Sequence, residues 1–215
     1  EFSSDAKKKD DKAKYIFLFI GDGMGYNHVA ATESYLSYQK GVKGGEKLTM
    51  STFPYFGMAT TYSANSYITD SSAAGTAIAS GEKTNNYALG VDPDNKPVKS
   101  MAYDLKEDGY KIGIMSSVPI THATPAAFYA STPDRGDGYG IMKQIPESGF
   151  DFLGGSGFED MFGKDGKELG ADKYLEQHGY EVCFGPEEFH AAADTCNRII
   201  FCQEKSKAED AKAYV

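Results

Sequence analysis

The amino-acid sequence predicts an α/β protein with three layers, in which helices cover both faces of a largely parallel β-sheet. Strand and helix patterns alternate along the chain, as they do where helices connect parallel strands. The first predicted strand, YIFLFI at residues 15–20, is apolar throughout, which is typical of a strand buried on both faces of a parallel sheet. A chain of 215 residues is also long enough to enclose a sizeable hydrophobic core.

The remaining elements follow from local patterns of apolar residues and from the glycines that end them. Strands are predicted at 55–63, 110–118, 150–155, 180–184 and 198–202, and helices at 28–40, 71–80, 98–109 and 171–179, with another helix beginning at 125. Gly81 and Gly109 end two of these helices. Residues 163–173 are rich in glycine and charge, so we expect a surface loop there. Residues 1–14 are a polar leader that we expect to be disordered, and 15–215 are expected to form the folded domain.

Composition excludes some classes of function. The net charge of −9 argues against a nucleic-acid partner, because binding a phosphate backbone needs a basic face. No apolar stretch approaches the length of a membrane span. The three cysteines, Cys183, Cys196 and Cys202, allow either one disulfide with one thiol left over or three reduced thiols, and the sequence does not choose between them.

Three segments with reactive residues each follow a predicted strand. Asp22 follows the first strand, Ser71 follows the second, and His122 and Thr124 follow the third. Open α/β sheets bind ligands beyond the carboxyl ends of their strands. We therefore expect these three segments to open on the same side of the sheet and to form one site.

Asp22 lies between two glycines in the stretch GDGMG. An aspartate there can cap the following helix, or its carboxylate can bind a divalent cation that the flexible glycine backbone approaches closely. The spacing of the glycines is not that of a dinucleotide-binding fingerprint, and no phosphate-loop lysine follows.

Ser71 and Ser72 follow Asp70 at the start of a run of small residues. Serine is a favoured helix cap, so one interpretation is a capped helix whose small face packs on a sheet. The other is a nucleophile at a helix N-terminus, where backbone N–H groups and the helix dipole favour both an alkoxide and a phosphate. Arg135, further along, has the forked geometry that matches phosphate oxygens, although a lone arginine or a lone histidine such as His122 is more often structural.

Four stretches together resemble the N-terminal half of an alkaline phosphatase. They are FLFIGDGMG, YITDSSAAGTAIASGEKTNNYALGVD, THATPAAFYAS and the pair DR at 134–135, and the resemblance covers residues 14–155. It implies hydrolysis of small phosphate monoesters through a phosphoserine, with two zinc ions and one magnesium ion. It also implies a homodimer in the periplasm or outside the cell, with no nucleic-acid partner and no membrane span.

The resemblance also implies roles for individual residues. Ser71 matches the nucleophile, with Ser72 as its non-reacting neighbour, and Asp22 matches the carboxylate that bridges a zinc and the magnesium. Thr124 matches a hydroxyl ligand of magnesium, and Arg135 matches the residue that grips two phosphate oxygens.

His122 stands where enterobacterial members of the family have an aspartate and mammalian members a histidine. The resemblance therefore places it near the magnesium, directly or through water, and implies that this third site holds magnesium loosely or accepts zinc.

The family's remaining metal ligands have no match after residue 155, so we expect the chain to be the N-terminal portion of a longer enzyme and to be inactive alone. Other interpretations stay open. One is a sulfatase or a phosphomutase of the same superfamily, although the sulfatase motif C-x-P-x-R is absent. A second is a non-catalytic phosphate- or metal-binding protein with this fold, and a third is a serine-capped helix in an unrelated α/β protein.

Overall fold

The structure, a computed structural model, describes residues 12–203, and the ends of the chain lie outside the described residues. Most of the expected leader, 1–14, therefore lies outside them as well. The chain divides into two compact units, Glu1–Phe56 and Gly57–Val215.

The first unit contains little regular structure. Its main element is helix α1 (Tyr26–Gln39), which confirms the helix predicted at 28–40, and a single 3-10 turn spans Thr49–Thr52. Gly25 is the N-cap residue of helix α1, and its backbone N–H donates to Nδ1 of His28 over 3.0 Å. The interpretation of Asp22 as the N-cap of this helix is therefore wrong.

The strands predicted at 15–20 and 55–63 are absent from the described structure. Neither segment has regular secondary structure, and their aromatic side chains are exposed, with Phe19 at 89% and Tyr55 at 92% of full exposure. Apolar composition predicts burial, but a strand also needs a neighbour that pairs with its backbone, and no described residue pairs with either segment. The expectation that Asp22 and Ser71 each follow a strand is therefore wrong for this structure.

The second unit is built around a four-stranded parallel sheet in the order β1-β2-β4-β3. The strands are β1 (Gly113–Met115), β2 (Phe152–Gly155), β3 (Glu181–Phe184) and β4 (Ile199–Cys202). Each lies within a segment predicted as a strand. The predicted α/β class with a parallel sheet is confirmed.

Helices in the second unit flank this sheet. They are α2 (Ser71–Ser80), α3 (Met101–Glu107), α4 (Ala123–Ala126), α5 (Gly138–Lys143), α6 (Ile145–Ser148), α7 (Ala171–Gln177) and α8 (Gly185–Ala192). Helices α5, α6 and α8 were not predicted, because each is short and its apolar pattern covers barely two turns. None of the helices among residues 12–203 is long and apolar enough to cross a membrane.

The run of small residues in α2 allows close packing against α4. A Cβ atom added at Gly75 would lie 3.1 Å from Cβ of Ala127 and 3.6 Å from Cα of Thr124, which is tight but not impossible. Ser72, Ala73 and Thr76 on the same helix are buried. The small face of α2 therefore brings the backbone of α4, and Thr124 with it, close to the start of α2.

The core of the second unit lies between the sheet and these helices. Its largest fully buried side chains include Phe150, Leu89, Ile141 and Met142. All three cysteines are free, with Cys183 and Cys202 buried. Burial raises the pKa of the Cys202 thiol to about 12, so this side chain behaves as a core residue.

Candidate active site

Asp70 organises the start of helix α2. Its carboxylate caps the helix by accepting from the backbone N–H of Ala73 (2.9 Å), and it also accepts from the hydroxyl of Ser72 (2.7 Å) and the backbone N–H of Tyr87 (3.0 Å). Burial by itself raises the pKa of this carboxyl. The hydrogen bonds to its charged form outweigh burial, so the pKa of Asp70 lies below its ordinary value.

The two adjacent serines have different environments. Ser72 is fully buried, and its hydroxyl donates to Asp70. Ser71 is only partly buried and is the first residue of α2, where the backbone N–H groups of the first turn point outward. Of the two hydroxyls, that of Ser71 is the one a ligand can reach.

Arg135 lies between Asp70 and His122. Its Nη1 lies 3.3 Å from Oδ2 of Asp70, and its Nη2 lies 3.3 Å from Nε2 of His122. Its backbone N–H donates to the carbonyl of Tyr87 over 2.8 Å. The arginine predicted to bind phosphate is thus positioned by Asp70, although the two residues are far apart in the sequence.

The contact with Arg135 indicates which nitrogen of the His122 ring accepts a hydrogen bond. A guanidinium only donates hydrogen bonds, so Nε2 accepts and the proton of a neutral ring is on Nδ1. Nδ1 is buried and has no hydrogen-bond partner among the described residues. Within the second unit, the structure therefore brings His122, Arg135 and the start of α2 together, with Thr124 packed against Gly75.

Asp22 belongs to the first unit. It lies in an exposed turn between residues 15–20 and helix α1. Its place among the candidate site residues therefore stays a prediction.

Several residues of this site were not predicted from the sequence. Asn86 accepts from the backbone N–H of Asp70 (3.2 Å) and donates to the carbonyl of Ile68 (2.9 Å), which fixes the segment before α2. Tyr87 connects Asp70 and Arg135 through its backbone. Both lie in the stretch quoted for the family resemblance, but no local pattern distinguishes their roles.

Glu159 is the third such residue. Its backbone N–H donates to the hydroxyl of Thr121 (2.8 Å), which holds it next to His122. Burial raises the pKa of Glu159, while the positive charge of Arg135 opposes that rise. A carboxylate so close to Arg135 has no signal in the local sequence.

The residues of the second unit fit part of a metal site. The buried Nδ1–H of His122 has no acceptor there, and a metal-bound water would supply one. Hydroxyl oxygens of Ser71 and Thr124 suit a divalent cation. Among residues 12–203, however, no group of three or more His, Cys, Asp or Glu side chains could hold a metal, and a zinc site takes three or four ligands.

A serine at a helix N-terminus, with an arginine held by the aspartate that caps the same helix, is an arrangement that suits an anion such as a phosphate group, and here it lies in an α/β fold with a parallel sheet. Comparison with known proteins agrees, because a sequence model described as alkaline phosphatase matches residues 13–156. The chain belongs to the alkaline phosphatase family.

Curated relatives cover the same part of the chain. Alkaline phosphatase 4 of Bacillus subtilis is 39% identical over 148 residues, which is 67% of this chain and 31% of the relative. Alkaline phosphatase 4 of Drosophila melanogaster is 39% identical over 133 residues, 58% of this chain and 22% of the relative. The chain thus spans a third or less of the length of these two relatives.

Solved structures give the same result for the fold. Alkaline phosphatase from the Antarctic bacterium TAB5 matches with a TM-score of 0.69 and 29% identity, over 85% of this chain and 51% of that one. The alkaline phosphatase of Thermus thermophilus matches with a TM-score of 0.69 and 32% identity, over 85% of this chain and 38% of that one. A third match is a histidine-to-aspartate variant of the TAB5 enzyme, described with Mg bound in its M3 site. It has a TM-score of 0.68 and 27% identity, over 84% of this chain and 56% of that one.

Proposed function

We propose that the protein containing this chain hydrolyses phosphate monoesters through a phosphoserine at Ser71. One observation carries the proposal. Ser71 is the first residue of α2, and Asp70, which caps that helix, also holds Arg135 beside the same helix end. Family membership supports the same reaction class.

The reaction proceeds in two displacements. The Ser71 oxygen attacks phosphorus, a bond forms between them, and the ester oxygen leaves with a proton as the alcohol. Water then attacks the phosphoserine, the bond between phosphorus and the serine oxygen breaks, and inorganic phosphate leaves. Arg135 and the first N–H groups of α2 stabilise the negative charge on the phosphoryl oxygens in both steps.

Asp70 and Ser72 act on the geometry of the site and do not react. Asp70 holds Nη1 of Arg135 and the first turn of α2 in one arrangement, so both donors face the same phosphate. This preorganisation keeps the donors in place before charge develops on the phosphoryl group.

We also propose that the site uses two zinc ions and one magnesium ion. Asp22, Ser71, Thr124 and His122 are the residues of this chain that would hold them, with His122 acting through its Nδ1–H on a bound water. When bound, the metals lower the pKa of a hydroxyl or water and balance charge on the apical oxygens. Description of Mg in the M3 site of the TAB5 variant supports a magnesium requirement.

Trapping the phosphoenzyme tests this proposal. The intact metal-loaded protein is incubated with radiolabelled inorganic phosphate at acid pH, quenched and digested, and the labelled peptide is mapped. We expect label on Ser71, its loss in Ser71→Ala, and its retention in the matched control Ser72→Ala. Label on Ser72, or normal turnover by Ser71→Ala, would show that the assignment is wrong.

A further inference from the structure

Tyr87 has an unusual backbone conformation for a bulky residue. Its φ angle is 70°, in the left-handed region that favours glycine, and its side chain is 69% exposed. Holding tyrosine in this region costs conformational energy that glycine would avoid. Because the ring is mostly exposed, burial of the ring in the core does not repay that cost.

The backbone of Tyr87 is fixed by the two residues that organise the phosphate site. Its N–H donates to Oδ2 of Asp70 over 3.0 Å, and its carbonyl accepts from the backbone N–H of Arg135 over 2.8 Å. The same Asp70 oxygen is 3.3 Å from the Arg135 guanidinium. The Cα of Tyr87 is therefore held at a constant distance from the group that binds phosphate.

Other exposed apolar side chains border the same corner. The carbonyl of Ile68 accepts from Asn86, the residue directly before Tyr87, and Ile68 and Tyr67 are 81% and 96% exposed. Tyr67, Ile68 and Tyr87 are thus exposed apolar side chains on two segments that Asn86 joins, next to the charged side chains of Asp70 and Arg135. Glycine at position 87 could make both backbone hydrogen bonds, so the tyrosine contributes only its ring.

We propose that Tyr87 is a specificity-determining residue that binds an aromatic ring in the alcohol part of the phosphate ester. This inference rests on the proposed phosphatase function. The phosphate group lies against Arg135 and the start of α2, and the ring of the ester stacks on the exposed face of Tyr87. Esters with an aromatic alcohol part, such as nucleoside monophosphates, are then preferred over esters of small aliphatic alcohols.

A comparison of two esters of primary alcohols tests the proposal. The intact metal-loaded protein is assayed with adenosine 5′-monophosphate and with 1-glycerol phosphate, whose leaving groups are chemically similar. The readout is the ratio of the two kcat/KM values. Stacking of one base on an aromatic side chain predicts that Tyr87→Asn lowers this ratio about tenfold, mainly through KM for the nucleotide.

The matched control is Tyr87→Phe, which keeps the ring and should keep the ratio within about twofold of the wild type. Asparagine is chosen for the other variant because it tolerates the left-handed region and preserves both backbone hydrogen bonds. An unchanged ratio in Tyr87→Asn, including an equal loss on both esters, would overturn the role of the ring. If the wild type hydrolyses neither ester, the proposed phosphatase function is overturned, and the role of Tyr87 with it.

Discussion

Arg135 and His122 meet side chain to side chain, with 3.3 Å between Nη2 and Nε2. Since the guanidinium can only donate, the imidazole accepts and its buried Nδ1 carries the proton. The same guanidinium also reaches Asp70, with 3.3 Å between Nη1 and Oδ2. The arginine thus lies between a carboxylate and an imidazole, and each of these contacts restricts the position of its guanidinium.

Removal of the guanidinium should weaken phosphate binding without affecting the metals. Arg135→Ala is expected to raise KM and the inhibition constant of inorganic phosphate, because loss of one charged hydrogen-bond partner costs about 1.5–3 kcal/mol. Zinc content, measured by elemental analysis, should not change. Arg198→Ala is the control, since that guanidinium lies over the ring of Tyr180 and faces a different part of the unit. Unchanged phosphate inhibition in Arg135→Ala would contradict the assignment.

An aspartate at position 122 should bind magnesium more tightly than the histidine does. Its negative charge favours a hard, oxygen-ligated cation, whereas a neutral imidazole adds no charge and suits zinc better. His122→Asp is expected to increase magnesium affinity in titrations after chelator treatment. His122→Asn provides the neutral control. Superimposable titration curves for wild type and His122→Asp would show that this residue does not tune the third metal.

A comparison of Asp70 with Asp137 distinguishes the effect of helix capping from the effect of positioning Arg135. Both carboxylates cap a helix, Asp70 through Ala73 (2.9 Å) and Asp137 through Gly140 (3.0 Å), but only Asp70 contacts Arg135. Replacement of either by alanine should lower the free energy of unfolding by about 1 kcal/mol, measured by denaturant titration. Only Asp70→Ala should also weaken binding of inorganic phosphate. Equal phosphate affinities in the two variants would exclude a positioning role for Asp70.

Alanine substitutions at two glycines with similar φ angles distinguish the cost of backbone strain from the cost of a steric clash. Gly81 (φ 78°) ends α2 with open space around it, whereas a Cβ at Gly90 (φ 61°) would lie only 2.0 Å from the carbonyl oxygen of Ala130. Gly81→Ala should cost about 1 kcal/mol in the free energy of unfolding, from the left-handed conformation alone. Gly90→Ala should cost clearly more, because the backbone of Ala130 must move. Equal losses in thermal unfolding would contradict this packing.

Asp151 should make the stability of the second unit depend on acid pH. Burial raises the pKa of its carboxyl, but hydrogen bonds from the Ile112 backbone and Lys111, with the charge of Lys106, outweigh burial and hold the pKa below its ordinary value. A depressed pKa stabilises the folded state above about pH 4, and this contribution disappears as the pH falls through the folded-state value. The difference in unfolding free energy between wild type and Asp151→Asn should therefore shrink on acidification.

Measurement of unfolding between about pH 2 and pH 7 checks this expectation. Asp94→Asn, at an exposed turn, is the control and should give a small difference at every pH. A constant difference for Asp151→Asn over this range would mean that the lysine and backbone contacts do not favour the charged carboxyl.

The sequence by itself determined the features that depend on neighbouring residues. Helix α2 begins at Ser71 and ends before Gly81, because a capping aspartate precedes it and a glycine adopts the left-handed conformation after it. The strands β1 to β4 follow from short apolar runs, and the resemblance to the family followed from long, specific stretches. Such signals act over a few residues, so they are visible in the chain.

Only the tertiary structure decided which distant residues meet. Arg135 pairs with Asp70 across 65 positions, and Glu159 comes next to His122 through its backbone bond to Thr121. The apolar run at 15–20 was wrongly predicted as a strand, because composition shows the tendency to be buried but not the presence of a pairing neighbour. Which strands pair, and which side chains share a site, depends on the free energy of packing the whole fold, and no single segment carries that information.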